Sequence, residues 1–462
     1  MTPRTSPLLS LAEIISSGVR TLEAAYAKEG VPYPLLDDPF KPGPLGLDAD
    51  PALQQTSRLI VAAAYQIIAS VRHPMETVMD FAPAQYMSST LGTVVEAHVP
   101  DVLKDVGSQG LHAREIAAYS GAEPSMMARV LRYLATRHVF QEVTPNVFAN
   151  NRVSSILVKS RSIKEIQANP ATQYEGSTGA AIVGHFTNEG LKSSTAMSEY
   201  VREGYKTAGA PFNIAYSTDK IIWDYFDGPG NQFVHDRWTA AMKSGGDRFP
   251  PEIFASVFDW GKLPDDSVVV DVGGNVGTVT RTIMKAHPRL RYVVQDLDKT
   301  IVDAKGYWQE EDPEALASGR VMLQAHDFFQ PQPVKDAAVF FMRVVLHDWP
   351  TTSCRAIMQN LRSAASPSTK LILYESTMPY ACEAPSGFTD DKQAPPRPPY
   401  PLLPNLGSAM GNFLTMVDMQ MLALMNGQER TIEDFRALGD ATGWKLDAIT
   451  PGMLSTYVFS TA

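Results

Sequence analysis

Apolar residues recur at helical spacing near the N-terminus, in LAEIISSGVRTLEAAY (11–26) and again in SRLIVAAAYQIIASVR (57–72). Between them GVPYPLLDDPFKPGPLGLDADPA is crowded with prolines, which forbid a long helix. A second region holds LHAREIAAYSG, AEPSMMARVLRYLATRHVF and VTPNVFANNRVSSIL. Its spacing predicts a helix, a turn, a second helix and a short two-stranded wing, with Met126, Val130, Leu131 and Leu134 packing inward. Residues 156–260 read as irregular helices carrying aromatics and glycines. From 267 the period changes. SVVVDVGG, RYVVQDLD, AAVFFMRVVLHDW and KLILYEST are apolar runs separated by helix-length stretches, which predicts an α/β parallel sheet. A Pro-rich segment, 379–412, interrupts it as a loop or insertion. Helical patterns and a last pair of strand-like runs close the chain.

The expected organisation is an N-terminal helical extension with a Pro-rich turn (1–80), a winged-helix-like domain (81–155), connecting helices (156–260) and an α/β domain (261–462). A chain of 462 residues accommodates this, since a typical domain has about 150. Hydrophobic residues make up 44%, so the chain can bury a core. Its formal charge of −10 opposes a nucleic-acid binder, although the second winged-region helix offers Arg129, Arg132 and Arg137. Cys354 and Cys382 are too few for a disulfide framework or a four-thiolate zinc site. No apolar run approaches the ~18 residues of a membrane span, and Glu13 interrupts the N-terminal apolar patch, so no signal peptide is expected. These bounds describe a cytoplasmic enzyme.

The first chemical motif is Asp271-Val-Gly-Gly-Asn-Val-Gly277, between a strand and a helix. Glycines there, Gly273 and Gly274 among them, let a ligand approach the backbone. Asp296 ends the next strand, where a carboxylate can accept hydrogen bonds from both hydroxyls of a ribose. The turn is neither a dinucleotide GxGxxG nor a phosphate-binding P-loop. It is similar to the turn with which class I methyltransferases hold S-adenosylmethionine. That ligand lacks phosphates, so an acid at the start of the turn can face its ammonium group.

FMRVVLHDWP (341–350) resembles the catalytic segment of the plant-type, caffeic-acid-like small-molecule O-methyltransferases, a family shared by fungal phenol and polyketide enzymes. The resemblance extends from about 85 to 460 and includes PFNIAYSTDKIIWDYF of the connecting helices; the first 80 residues resemble an extension of some fungal members. It implies a Rossmann-like class I methyltransferase domain with an all-α winged-helix-like N-terminal dimerisation domain, a homodimer, S-adenosyl-L-methionine as cofactor and a small aromatic substrate. Carried over by position, Gly273 and Gly274 form the cofactor turn and Asp296 binds the ribose. HDFF (326–329) places Asp327 and Phe328 against the adenine, with Phe328 in place of the common methionine. Arg343 stands where plant members carry lysine. His347 is the implied catalytic base, Glu375 and Glu429 the acids flanking it, and Met421 and Met425 line the acceptor pocket.

These roles make chemical sense. Methyl transfer to oxygen needs a nucleophile, and a positioned histidine can take the phenolic proton as the new bond forms. A carboxylate beside the ring would orient it and stabilise the imidazolium. No metal is expected, since the nine histidines lack ligand spacing. His326, His235, Trp238 and Cys354 read as structural residues. Two alternatives use the same chain differently. Some fungal relatives of these enzymes are pericyclases that hold the cofactor as a fixed charge, and a winged-helix regulator with a degenerate methyltransferase domain would be non-enzymatic. The segment between Glu375 and Asp418, with its Pro-rich loop, is longer than in plant members, and the stretch from Asp418 to Glu429 is one residue shorter, so plant acceptors do not transfer.

Overall fold

The computed structural model describes residues 6–41, 44–246, 251–383, 397–452 and 454–462. The chain forms two compact units. The first is Met1–Arg248 with Pro398–Leu402 and Leu406–Met410; the second is Phe249–Arg397 with Leu403–Asn405 and Gly411–Ala462. The second unit thus starts before the expected boundary at 261. Two pieces of the Pro-rich segment fold with the first unit, while residues 384–396 of that segment lie outside the described residues.

In the first unit, helices Pro7–Lys28 and Pro51–Val71 pack on each other. Each opens with proline, whose missing N–H costs nothing in a first turn. The Asp50 side chain caps the second, accepting from Ala52 and Leu53 at 2.8 and 3.0 Å. Leu11, Ala62 and Ala63 are buried between them together with Leu402 and Leu406 of the Pro-rich segment. Gln66 Nε2 donates to the Pro401 carbonyl at 2.9 Å, which ties that segment to the extension.

The winged region carries helices Ala113–Ser120 and Pro124–Ala135. Three strands, β1 (Leu111–His112), β2 (Phe140–Thr144) and β3 (Val147–Asn150), form an antiparallel sheet in the order β1-β3-β2. The domain is therefore helical with a three-stranded ribbon, where a two-stranded wing was expected. Leu131 and Leu134 face the core and Val130 packs against it as expected, but Met126 is 63% exposed and Met127 is buried in its place. Arg132 turns back to Glu142 of the wing at 2.8 Å and to Asn146 at 2.9 Å. That arginine is engaged within its own domain.

The second unit is a seven-stranded sheet built from β4 (Val268–Val272), β5 (Arg291–Asp296), β6 (Val321–Ala325), β7 (Val339–Arg343), β8 (Lys370–Glu375), β9 (Trp444–Thr450) and β10 (Ser455–Thr461). The order is β6-β5-β4-β7-β8-β10-β9. Strands β4 to β8 pair in parallel, and β10 runs antiparallel to both its neighbours. Central strands are continuous apolar runs because helices cover both faces. Phe340 and Phe341 show the alternation: Phe340 joins Ile357, Leu361 and Trp444 on one side, Phe341 joins Trp260, Ile301 and Trp308 on the other. The order reverses at β4, where the crevice beyond the strand ends is the ligand-binding position of open α/β sheets.

Trp308 anchors this point: it is fully buried and donates from Nε1 to the Val276 carbonyl at 2.9 Å. Trp308→Ala should cost about 3–5 kcal/mol, and Trp308→Phe should lose only the hydrogen bond and some packing, about 1–2 kcal/mol. Calorimetry of the two variants checks the ranking; equal melting temperatures would contradict it.

Candidate active site

The turn after β4 is held from the neighbouring strand, since the amides of Gly273 and Gly274 both donate to the Gln295 carbonyl at 2.9 and 3.0 Å. Its glycines answer separate steric demands. Gly273 has φ +71, and a Cβ there would meet Val345 at 3.1 Å and approach the Phe328 ring. A Cβ on Gly274 would collide with the Asp271 carboxyl at 2.7 Å, and one on Gly277, at φ +85, with Trp308 at 2.7 Å. Only Gly273 opens toward the crevice side chains; the other two serve packing. Asp271 is tied into the fold itself. Its carboxyl is buried, accepts from Thr280 Oγ1 at 2.5 Å, and is pushed up to about 6 by burial. It is engaged by Thr280 of the helix that follows the turn.

Asp296 knits the turn to β5. Its Oδ2 accepts from the Asn275 amide at 2.9 Å and its Oδ1 from the Leu297 amide at 2.8 Å, leaving each oxygen a further lone pair. The His326 amide donates to the Asp296 carbonyl at 2.9 Å, bringing the 326–329 segment alongside. There Asp327 accepts from the Phe329 amide at 2.9 Å. Phe328, Phe329 and Trp349 form an edge-to-face cluster with centroids 4.8–5.8 Å apart. Arg343 ends β7 with its guanidinium 5.2 Å from the Phe254 ring. Burial lowers its pKa, while Asp271, Tyr374 and Glu375 hold its charge.

His347 lies in a turn clamped from both backbone polarities. Val344 sits at φ +52, a conformation that costs a β-branched residue on the order of 1–3 kcal/mol. Buried Glu375 accepts from the amides of Val345 and Leu346 at 3.0 and 2.8 Å. Buried Arg430 donates to the carbonyls of Leu346 and Trp349 at 2.6 and 2.7 Å. Gln428 N donates to the His347 carbonyl at 2.8 Å, and a Cβ on Gly427 would overlap that same carbonyl. The Cys354 thiol, which burial pushes up to about 11, lies on the Leu346 and Trp349 carbonyls at 3.3 and 3.4 Å.

The imidazole itself is 15% exposed and ringed by acids. Its Nδ1 is 2.7 Å from Glu429 Oε1, and its Nε2 is 3.2 Å from Asp348 Oδ1. Glu375 contributes only its field, since its carboxylate holds the turn's amides rather than the ring; of the two acids expected to flank His347, only Glu429 touches it. Burial alone would lower the imidazole pKa, but Asp348, Glu429 and Glu375 together push it up to about 10. Burial raises Asp348 and lifts Glu375 to about 7 against the pull of the imidazolium. Glu429 is set by Asp418, which accepts its amide at 2.8 Å.

Met421 and Met425 are half-buried on helix Gly411–Met425, which packs against the His347 turn. Sequence reasoning missed Asp348, Asp418 and Arg430 as parts of the site. The first and last lie directly beside residues it chose, and only their contacts reveal a role. His235 is half-buried near Asp227 and Asp236, Trp238 packs edge-on against Trp223 at 4.7 Å, and burial lowers His326. Among the described residues no group of three or more His, Cys, Asp or Glu could hold a metal ion.

Residues 253–391 match the O-methyltransferase domain model and residues 79–160 the O-methyltransferase dimerisation domain model. An O-methyltransferase of Armillaria gallica is 34% identical over 452 residues, covering 96% of this chain and 95% of its own. The 4-O-methyltransferase 1 of Phanerochaete chrysosporium is 34% identical over 453 residues, 96% of each. The fold is similar to NcsB1, an O-methyltransferase from neocarzinostatin biosynthesis solved with S-adenosylmethionine and 2-hydroxy-5-methyl naphthoic acid, at TM-score 0.59 and 20% identity over 82% of this chain and 96% of that one. It is also similar to LepI in complex with S-adenosylmethionine, at TM-score 0.62 and 18% identity over 98% and 100% of the chains.

The acids around His347 generate a direct test. A histidine raised above its unfolded value of about 6.5 contributes stability that is fully present below pH 6.5 and is lost as pH rises through about 10. NMR titration should find the His347 ring still protonated at pH 8 and Glu429→Gln shifting its midpoint toward 6.5. A wild-type midpoint below 7 would refute the electrostatic reading.

Proposed function

The chain belongs to the plant-type O-methyltransferase family, fungal branch, and from that membership we propose that it methylates the hydroxyl of a small phenolic or polyketide-derived aromatic, with His347 as general base. It is an S-adenosylmethionine-dependent methyltransferase with a Rossmann-like catalytic domain and a helical dimerisation domain. The cofactor, when bound, supplies a methyl group on a positively charged sulfur. The residues at the β4 crevice suit it: Gly273 offers bare backbone, Asp296 spare lone pairs for ribose hydroxyls, and Phe328 an apolar face for the adenine. Asp327 would accept from the adenine amine, and Arg343 would keep positive charge beside Asp271.

The contact between His347 Nδ1 and Glu429 is the observation that carries this reading. Glu429 fixes the ring through Nδ1, so Nε2 is the nitrogen that takes the acceptor's proton once the resting imidazolium has been deprotonated, and Asp348 stabilises the imidazolium formed again. The surrounding acids also correct the energetics. An unperturbed imidazole near 6.5 facing a phenol near 10 would accept that proton at a cost of about 5 kcal/mol. Raised to about 10, His347 matches a phenol in basicity, so the transfer itself costs little, but near neutral pH the ring must first lose its own proton. Glu375, Arg430 and Asp418 are positioning residues that hold this geometry without touching the ring. Met421 and Met425 offer an adaptable apolar wall for a flat acceptor, and the dimerisation domain supports a homodimer.

Incubation with methyl-labelled S-adenosylmethionine and a panel of phenols, read by mass spectrometry, tests the reaction. Label should appear in at least one phenol, and His347→Ala should lower kcat by about 10²–10⁴-fold while sparing cofactor affinity. Wild-type turnover by that variant would remove the base assignment. Tight cofactor binding with no label in any acceptor, and conversion of a polyketide-derived substrate without methylation, would instead favour a pericyclase. The pH profile supplies a second check. Because the free site and acceptor together must lose one proton, kcat/KM should climb about tenfold per pH unit from 6 to 8 and level only toward 10. A plateau above pH 7 would contradict it.

A further inference from the structure

The loop between β6 and β7 carries Asp327 and Phe328, yet no helix or strand supports it. Its return leg, QPQPV (330–334), is exposed at Gln330, Pro331 and Pro333. The two prolines have no N–H to donate, so they cannot seat this leg through backbone hydrogen bonds of their own. Between them, Gln332 is only 1% exposed. A buried amide is stable there only where its hydrogen bonds are made. Gln332 Oε1 accepts from Gln295 Nε2 at 2.8 Å and from the Val334 amide at 3.0 Å. Its Nε2 donates back to Gln295 Oε1 at 2.8 Å. Gln295, equally buried on β5, gives its other amide proton to Gln324 Oε1 of β6 at 2.7 Å.

Gln295 serves the cofactor turn as well, since its carbonyl holds the Gly273 and Gly274 amides. One residue of β5 therefore carries the glycine turn on its backbone and the β6–β7 loop on its side chain. The loop's outgoing leg has its own ties. The His326 amide donates to the Asp296 carbonyl at 2.9 Å, and Asn360 Nδ2 of helix Thr351–Ala364 donates to the Phe328 carbonyl at 3.0 Å. The two legs meet at Asp327, whose carbonyl accepts from the Gln330 amide at 2.8 Å. Pro331 fixes φ between Gln330 and Gln332, so a shift of the buried amide is passed on to Asp327. We propose that Gln332 is a positioning residue for the cofactor, setting through its amide pair with Gln295 where the Asp327 carboxylate meets the adenine amine. That role rests on the adenine placement proposed above.

Calorimetric titration of the full chain with S-adenosylhomocysteine, and with the analogue whose purine lacks the 6-amino group, tests it. Wild type should prefer the adenine compound by about 10–100-fold, the worth of one hydrogen bond to a carboxylate. Gln332→Leu should cut that preference to about threefold or less. If both compounds bind that variant more weakly and the preference persists, the amide pair serves stability alone; the proposal is then overturned and the adenine placement stands. A wild type without preference overturns both. Should Gln332→Leu fail to fold, Gln332→Glu decides. Its carboxyl still accepts from Val334 and Gln295, and it loses only the return donor when ionised. Burial raises a carboxyl's pKa, so the preference should stand at the wild-type level at pH 6 and fall at pH 9. A preference in that variant that does not change with pH overturns the proposal.

Discussion

Between Arg343 and Pro350 the chain leaves a central strand through a β-branched residue at positive φ and must still present a histidine at the crevice. Left alone, such a turn would relax. Glu375 fixes it by accepting two of its amides, and Arg430 fixes it by donating to two of its carbonyls. Both side chains are buried, where a charged group is tolerated only if its hydrogen bonds are made. The backbone supplies those partners, so strain and burial sustain each other. The rest of the catalytic unit follows from this clamp: β8 ends where Glu375 is required, and the segment after helix Gly411–Met425 runs where Arg430 and Glu429 can reach.

The same arrangement decides the histidine's chemistry. Glu429 is next in sequence to Arg430, so the residue that clamps the turn brings with it the carboxylate that orients the ring. Asp348, adjacent to His347, adds a second acid on the other nitrogen. Burial opposes a charged imidazole, and three carboxylates outweigh it. A free imidazole would titrate near 6.5; this one is held well above that by its enclosure.

Around the other unit, the two chain segments that look most like additions pack together. The Pro-rich segment's Leu402 and Leu406 fill the space beside helices Pro7–Lys28 and Pro51–Val71, and Gln66 holds the Pro401 carbonyl. Apolar residues of the extension thus divide between this inner packing and positions left exposed among the described residues.

Periodicity alone determined the alternation of strands and helices from 267 onward, because a sheet buried on both faces admits only apolar strands. The glycine turn, Asp296 and the histidine segment were legible because each occupies a strand end, where an α/β sheet gathers chemistry from residues distant in sequence. Tertiary structure decided the rest. Met127 replaced Met126 because it lies four residues before buried Leu131, on the same helix face, while Met126 falls outside that face. Asp271 turned inward to Thr280, which spacing could not show. Glu375 proved to hold amides rather than the imidazole, and Asp418 and Arg430 became visible only as contacts. Sequence pattern reports which residues are buried or stand at strand ends; which atom each polar group meets depends on chain segments up to 335 residues apart brought to within a hydrogen bond.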